Sequence, residues 1–194
     1  MIYLICMKRK IIIRTNPFVS IIIGIVCVVA LIFGAFLYGK STNSQSVATL
    51  KEQHDLIIKN EVFTAISLLK TLYEQSEKGE LSLEEAKTRG ADLLRNIRYG
   101  DQSDGYFWAD TIEGVNVVLY GDAKVEGVDR WNAFVGGVYY VREIIRNGMK
   151  DGGGYTDYYY PKKGESIPLP KRGYSLLFAP FNWVIGTGYY LEDI

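Results

Sequence analysis

Residues Phe18 to Tyr38 form a run of 21 residues without a charge, interrupted only by Ser20 and small side chains. As a helix rising about 1.5 Å per residue, such a run covers roughly 30 Å, the thickness of a bilayer's hydrocarbon core. Lys8, Arg9, Lys10 and Arg14 precede it, and only Lys40 follows closely. A bias of positive charge toward the cytoplasmic side predicts a cytoplasmic segment 1–17, a transmembrane helix 18–38 and an extracytoplasmic domain 41–194. A cleaved signal peptide is the competing reading. Its apolar core is usually about 7–15 residues long, and a small-residue cleavage site follows it. Leu37-Tyr38-Gly39-Lys40 offers no such site, so a single-pass anchor in the cell membrane is the expectation.

The net charge of zero divides unevenly. Every acidic residue follows Lys40, so the exported part carries 22 acidic against 17 basic residues. That balance excludes a basic face for nucleic acid. Cys6 and Cys27 both precede the domain, which therefore rests on packing without a disulfide.

From Ser46 to about Glu77 there is neither proline nor glycine. Ile58, Val62, Ala65, Leu69 and Leu72 fall at helical spacing along one seam. The seam can pack inside its own domain or against a second copy in a homodimer. Lys78-Gly79 ends this helix. Ser82 and Glu85 read as a capping box opening a second, antiparallel helix that runs to about Arg98. Beyond Tyr99-Gly100 the pattern moves toward period two. Strands are predicted at 105–109, 115–120, 155–160, 173–179 and 183–190, with a third helix over about 133–150 and a turn at 161–170. The fold class is α+β: a helical pair at 41–98, then a PAS-like antiparallel five-stranded sheet at 99–194.

Several pieces occur in order: Arg98-Tyr99-Gly100 before Gly105-Tyr106-Phe107-Trp108, then Asp157-Tyr158-Tyr159-Tyr160-Pro161-Lys162, then Pro170-Lys171 before Tyr174, and last the strand from Trp183 to Ile194. Together they resemble the single Cache domains (type 2) of bacterial methyl-accepting chemotaxis proteins and sensor kinases. The resemblance spans nearly all of 41–194. It implies a sensor that binds a small molecule, often a short carboxylate, on the sheet and signals through membrane helices. It also implies a second membrane helix and a signalling module beyond Ile194, so the chain is expected to be the input half of a receptor. Many members carry His-Pro where the second strand ends. Leu119-Tyr120-Gly121 stands there, so that histidine's contribution is lost or replaced.

A buried anion site needs a cation and neutral donors over an apolar floor. The resemblance puts Tyr106, Trp108, Tyr158, Lys171 and Tyr174 in or near the pocket. Strand alternation places Tyr106 with Trp108, Tyr120 with Asn116 and Val118, and Tyr158 with Tyr160. Lys171 and Arg130 are the candidate cations, with Arg98 a third. The ligand-binding set is thus Tyr106, Trp108, Tyr120, Arg130, Tyr158, Tyr160, Lys171 and Tyr174. Asp157 is expected to pair with a backbone donor or a neighbouring cation.

Catalysis is not expected. His54 is the only histidine, no acidic or histidine set has metal-ligand spacing, and no cofactor is implied. Gly152-Gly153-Gly154 follows a helix and precedes a strand, the reverse of a phosphate-binding loop. The expected function is a membrane-anchored extracytoplasmic sensor of a C2–C4 carboxylate. The alternative is a ligand-free interaction or scaffold protein that pairs with a receptor through its anchor and helical seam.

Overall fold

A computed structural model describes residues 17–120 and 122–194, with only the backbone described for Pro17, Val19, Ser20, Ile23 and residues 39–44. Residues 1–16 of the expected cytoplasmic segment, with its basic cluster and Cys6, and Gly121 lie outside the described residues. Helix α1 (Pro17–Glu77) runs through a division of the chain into two units, one ending at Ala48 and the other covering Thr49–Ile194.

In the first unit the large apolar side chains described between Phe18 and Tyr38 are exposed, at 50% to 74%. Among the described residues no helix is long and apolar enough to cross a membrane, so the anchor expected over 18–38 is not shown.

In the second unit the order is α1, α2 (Leu83–Asn96), β1 (Trp108–Thr111), β2 (Asn116–Leu119), α3 (Tyr140–Gly148), β3 (Gly154–Pro161), β4 (Pro168–Phe178) and β5 (Trp183–Tyr190). The strands form one antiparallel sheet in the order β2-β1-β5-β4-β3. A five-stranded sheet is left with two faces to cover. The helical seam covers the first. Ile58, Val62, Ala65 and Leu69 are buried with Phe107, Ala109, Val118, Tyr174, Phe178, Phe181, Trp183 and Ile185, and Leu72 packs at their margin. The seam thus packs inside its own domain, the first of the two uses expected of it.

Helix α2 begins with the expected capping box: the Glu85 backbone N–H donates to Ser82 Oγ at 3.2 Å, and the Ser82 N–H donates to Glu85 Oε2 at 2.8 Å. It returns alongside α1, where the missing side chain of Gly90 makes room. A Cβ there would stand 2.8 Å from Leu69 Cδ2 and 3.3 Å from Phe181.

The second face is covered by α3, whose Tyr140, Val141, Ile144 and Ile145 pack with Trp108, Leu119, Tyr158 and Val184. This helix starts at Tyr140, seven residues later than the pattern predicts. Gly136 and Gly137 adopt left-handed angles (φ 59° and 85°), and Val135 and Val138 exchange backbone hydrogen bonds across them, which closes a turn in place of a helix. β1 also lies later than expected. β4 begins earlier, at Pro168. Its first three residues pair only with β3, because pairing with β5 starts at Lys171, so Pro168 and Pro170 sit where a ladder hydrogen bond is dispensable.

On the α1 face Arg172 donates from Nε to Asp55 Oδ1 and from Nη1 to Asp157 Oδ1, each at 2.7 Å. Tyr189 donates to Asp55 Oδ1 at 2.9 Å, and Tyr155 donates to the Asp55 carbonyl at 3.0 Å. Asp157 thus pairs with a cation, as expected, and the group ties α1 to three strands.

Leu69 is fully buried at the centre of this packing. Leu69→Ala should destabilise the domain by about 2–5 kcal/mol, the usual range for a large-to-small core change, measured as a lower urea midpoint at constant slope.

Candidate functional site

Alternation along β1 and its lead-in sends Tyr106 and Trp108 to the α3 face and Phe107 to the α1 face. The Thr187 hydroxyl fixes the lead-in by donating to the Tyr106 carbonyl at 2.6 Å. The Trp108 indole lies flat over β4 and β5 because glycines stand beneath it. A Cβ at Gly186 would approach the ring to 2.6 Å, and one at Gly173 to 2.8 Å. On β3, Tyr158 and Tyr160 face the same side. Tyr158 stacks on Tyr140 with centroids 5.6 Å apart and meets Trp108 edge-on.

Lys171 stands in the middle of this wall, opposite Tyr158 on β3 and Tyr190 on β5. It is 1% exposed. Its Nζ donates to the Tyr106 hydroxyl at 2.6 Å and lies 4.4 Å from the Tyr106 ring, 4.7 Å from Tyr190, 5.5 Å from Trp108 and 5.8 Å from Tyr160. Among the described residues no carboxylate pairs with it. Burial alone lowers its pKa to about 7, since removal from water penalises the charged form. Ring faces attract a cation, each worth about 0.5–2 kcal/mol, but they do not neutralise it. Burial pushes the Tyr106, Tyr158 and Tyr160 phenols up, so these hydroxyls stay neutral donors.

Arg130 comes from the loop between β2 and α3, whose position is set by its backbone N–H donating to the Gly114 carbonyl at 2.8 Å. Its Nε stands 3.8 Å from Asp110 Oδ1, with side chains 9% and 0% exposed. Asp110 stands opposite a bulge in β2, where Val117 is left out of the pairing, and accepts from Asn116 Nδ2 at 2.9 Å. Burial pushes its carboxyl up, with Arg130 and then Asn116 opposing. Trp108 Nε1, Asp110 Oδ2, Asn116 Oδ1 and Arg130 Nε are buried without a hydrogen-bond partner. An orphaned polar atom of this kind costs about 1–3 kcal/mol.

Between the sheet and α3 these residues line a cavity of about 10 Å³, room for about one water molecule. The wall consists of Tyr106, Trp108, Leu119, Arg130, Tyr140, Ile144, Tyr158, Tyr160 and Lys171. Six of the eight expected residues come together there. Tyr174 does not. It lies three positions from Lys171, an odd step along a strand, so it faces α1 and packs on Tyr155, with its hydroxyl donating to the Gly152 carbonyl. Tyr120 does not either, because β2 ends at Leu119 and the strand's own bulge at Val117 breaks its alternation. The Tyr120 ring lies 5.4 Å from Tyr106 in an adjoining cleft of about 890 Å³, which Tyr106 also lines. Lys163 donates to its hydroxyl at 2.8 Å, and the third candidate cation, Arg98, stacks 3.3 Å from its ring centre. Those two cations, Lys163 first, lower the Tyr120 pKa.

Sequence reasoning missed Leu119, Tyr140 and Ile144 in the wall and Asp110 behind it. Tyr140 and Ile144, four apart, share a helix face and were findable from spacing. Asp110 read as a turn residue, because the bulge is not visible in the sequence.

The family model for "Single Cache domain 2" matches residues 50–194, most of the chain. The chain belongs to the single Cache domain 2 family. Among characterised proteins, this Cache domain is 29% identical over 135 residues to the methyl-accepting chemotaxis protein McpP of Pseudomonas putida, covering 69% of this chain and 24% of that protein. It is 28% identical over 155 residues to the sensor histidine kinase MctS of Rhizobium johnstonii, covering 79% and 32%. The chain thus spans about a quarter to a third of the curated relatives it matches. A solved periplasmic sensor domain of a chemotaxis protein superimposes with a TM-score of 0.67 at 28% identity, covering 73% of this chain and 96% of that one. A Cache chemosensory domain solved to give the structural basis for carboxylic acid recognition superimposes with a TM-score of 0.69 at 26% identity, covering 74% and 97%. The fold is that of a sensor domain of chemoreceptors.

The Cache wall depends on the bare backbone beneath Trp108. Gly186→Ala drives a Cβ into a rigid ring, and overpacking of this kind costs about 1–3 kcal/mol. A fall of that size in chemical denaturation, with a shift of the Trp108 fluorescence, is the expected outcome.

Proposed function

We propose that this domain is the extracytoplasmic sensor of a membrane-anchored receptor of the chemoreceptor type, and that it binds a C2–C4 carboxylate in the Lys171 cavity. One observation carries the reading: a buried ammonium group with a single neutral hydrogen-bond partner and no counter-ion. Removing one partner of a buried ion pair costs about 3–5 kcal/mol because a charge is left uncompensated. The ligand-free domain stands in that condition, and a carboxylate supplies the missing charge. The Tyr106, Tyr158 and Tyr160 hydroxyls and the Trp108 N–H are the neutral donors for its oxygens, and Leu119 and Ile144 form an apolar floor for a short chain. The free volume is room for about one water molecule, so an acid enters only as side chains move aside, which favours few heavy atoms. Recognition of carboxylic acids by a domain of the same fold supports the class.

Entry runs through the larger cleft. Tyr106 divides cleft from cavity and is the residue bonded to Lys171, so the incoming carboxylate displaces its hydroxyl from the ammonium. The bound ligand then acts on β4. Arg172, the next residue, faces the other way and holds Asp55 of α1, so a shift of the strand alters the grip on that helix. A signal of about 1–3 kcal/mol requires this difference in ligand affinity between two arrangements of α1.

The test is a thermal shift of the purified chain with a metabolite panel. A matching carboxylate at a hundredfold excess over Kd adds about 2.7 kcal/mol, seen as a rise of about 5–10 °C in Tm. Lys171→Met should remove the response, and no shift with any carboxylate would refute the class.

The sign of the pH dependence follows from Lys171. Its folded value of about 7 lies below its unfolded 10.5, so the unfolded chain holds the extra proton between these limits. The burial penalty is present in full below about pH 7 and is relieved as pH rises through the window. Relative to Lys171→Met, ligand-free stability should rise by up to about 1.4 kcal/mol per unit above pH 7. Carboxylate affinity should fall over the same window by up to about tenfold per unit, because the ammonium form is the one that binds. Calorimetry at pH 6, 7 and 8 measures both.

A further inference from the structure

Among the described residues, the non-tyrosine ionisable groups in or directly behind the cavity are Lys171, Arg130 and Asp110. They are not equivalent. Lys171 has no acidic neighbour, while Arg130 has Asp110 at 3.8 Å. Asp110 contributes nothing to the cavity wall. It sits behind Arg130, fully buried, with Oδ1 on the Asn116 amide and Oδ2 without a partner. It therefore acts on a ligand through Arg130 and not by contact. With the pair ionised, the cavity carries one unmatched positive charge.

We infer that Asp110 sets the charge of the accepted ligand: by matching Arg130 it leaves Lys171 as the single free cation, and so selects monocarboxylates over dicarboxylates. The inference rests on the carboxylate reading above and deepens it. A second carboxylate on the ligand meets two unfavourable choices. It lies close to the Asp110 carboxylate in a site stripped of water, where like charges repel strongly. Otherwise it draws Arg130 away and leaves Asp110 buried and unpaired. Selectivity by such repulsion is as effective as selectivity by added contacts. The Arg130 Nε without a hydrogen bond shows that the pair is a charge match at 3.8 Å and not a closed hydrogen-bonded unit.

The test is titration calorimetry of the purified chain with acetate, propionate, malonate and succinate. The wild type should bind its best monocarboxylate at least tenfold more tightly than either dicarboxylate. Asp110→Asn keeps the shape and an acceptor for Asn116 but leaves two free cations, and should shift the ratio toward dicarboxylates by at least tenfold. Arg130→Gln combined with Asp110→Asn restores one net charge and should return the ratio toward the wild-type value. A merely structural role for Asp110 would weaken both ligand classes alike, and an unchanged ratio in a folded Asp110→Asn overturns the assignment. Should circular dichroism show that variant unfolded, the wild-type ratio decides, and dicarboxylate binding as tight as monocarboxylate binding overturns it. A folded wild type that binds neither class refutes instead the carboxylate reading beneath it.

Discussion

Lys171 Nζ lies among the rings of Tyr106, Trp108, Tyr160 and Tyr190 with one hydroxyl for a partner, and much of the domain serves to keep it there. β4 is paired on both sides where Lys171 sits, so its backbone cannot swing the side chain toward water. Helix α3 roofs the wall with Tyr140 and Ile144, and the Arg130 loop closes one end. A lysine would ordinarily extend its ammonium to the surface. The walls here are too closely packed for that, and the glycines under Trp108 are what allow such packing.

Adjacent positions on β4 face opposite sides of the sheet, and the chain places a cation at each. Lys171 is buried and uncompensated. Arg172 is partly exposed and held by two carboxylates, one of them on α1. The two sites differ in what they contribute. Partly exposed ion pairs add little net stability, since water already solvates the separated partners. The Arg172 group thus serves to position α1 against the sheet, whereas the large unfavourable term lies at Lys171. The proposed ligand would relieve that term on one face of the strand whose other face is tied to α1.

The helical seam and the capping box were legible in the sequence because both are local: spacing alone puts Ile58, Val62, Ala65 and Leu69 on one stripe, and Ser82 with Glu85 satisfies a helix start without outside help. Strand alternation likewise paired Tyr106 with Trp108 and Tyr158 with Tyr160. It would also have excluded Tyr174, three residues from Lys171, had period been weighed above family resemblance. What escaped was non-local. The bulge at Val117, opposite Ala109/Asp110, re-aims β2 and moves Tyr120 out of the wall while bringing Leu119 in. Asp110 read as a loop acid because nothing in its neighbours reveals that Arg130 returns from twenty residues later. The Gly136-Gly137 turn shortened a helix whose apolar pattern was otherwise sound.

Local rules fail in this domain chiefly around the cavity. A sequence selected for stability alone would replace Lys171 with an apolar residue and would not leave Trp108 Nε1, Asp110 Oδ2, Asn116 Oδ1 and Arg130 Nε unpartnered in one region. Natural folds tolerate such conflicts mainly where function requires them. The α1 side supports this reading by contrast: its buried aromatics meet edge-on and its polar groups are paired. The unpartnered groups among the described residues thus lie around the cavity, away from the ion pairs that hold α1.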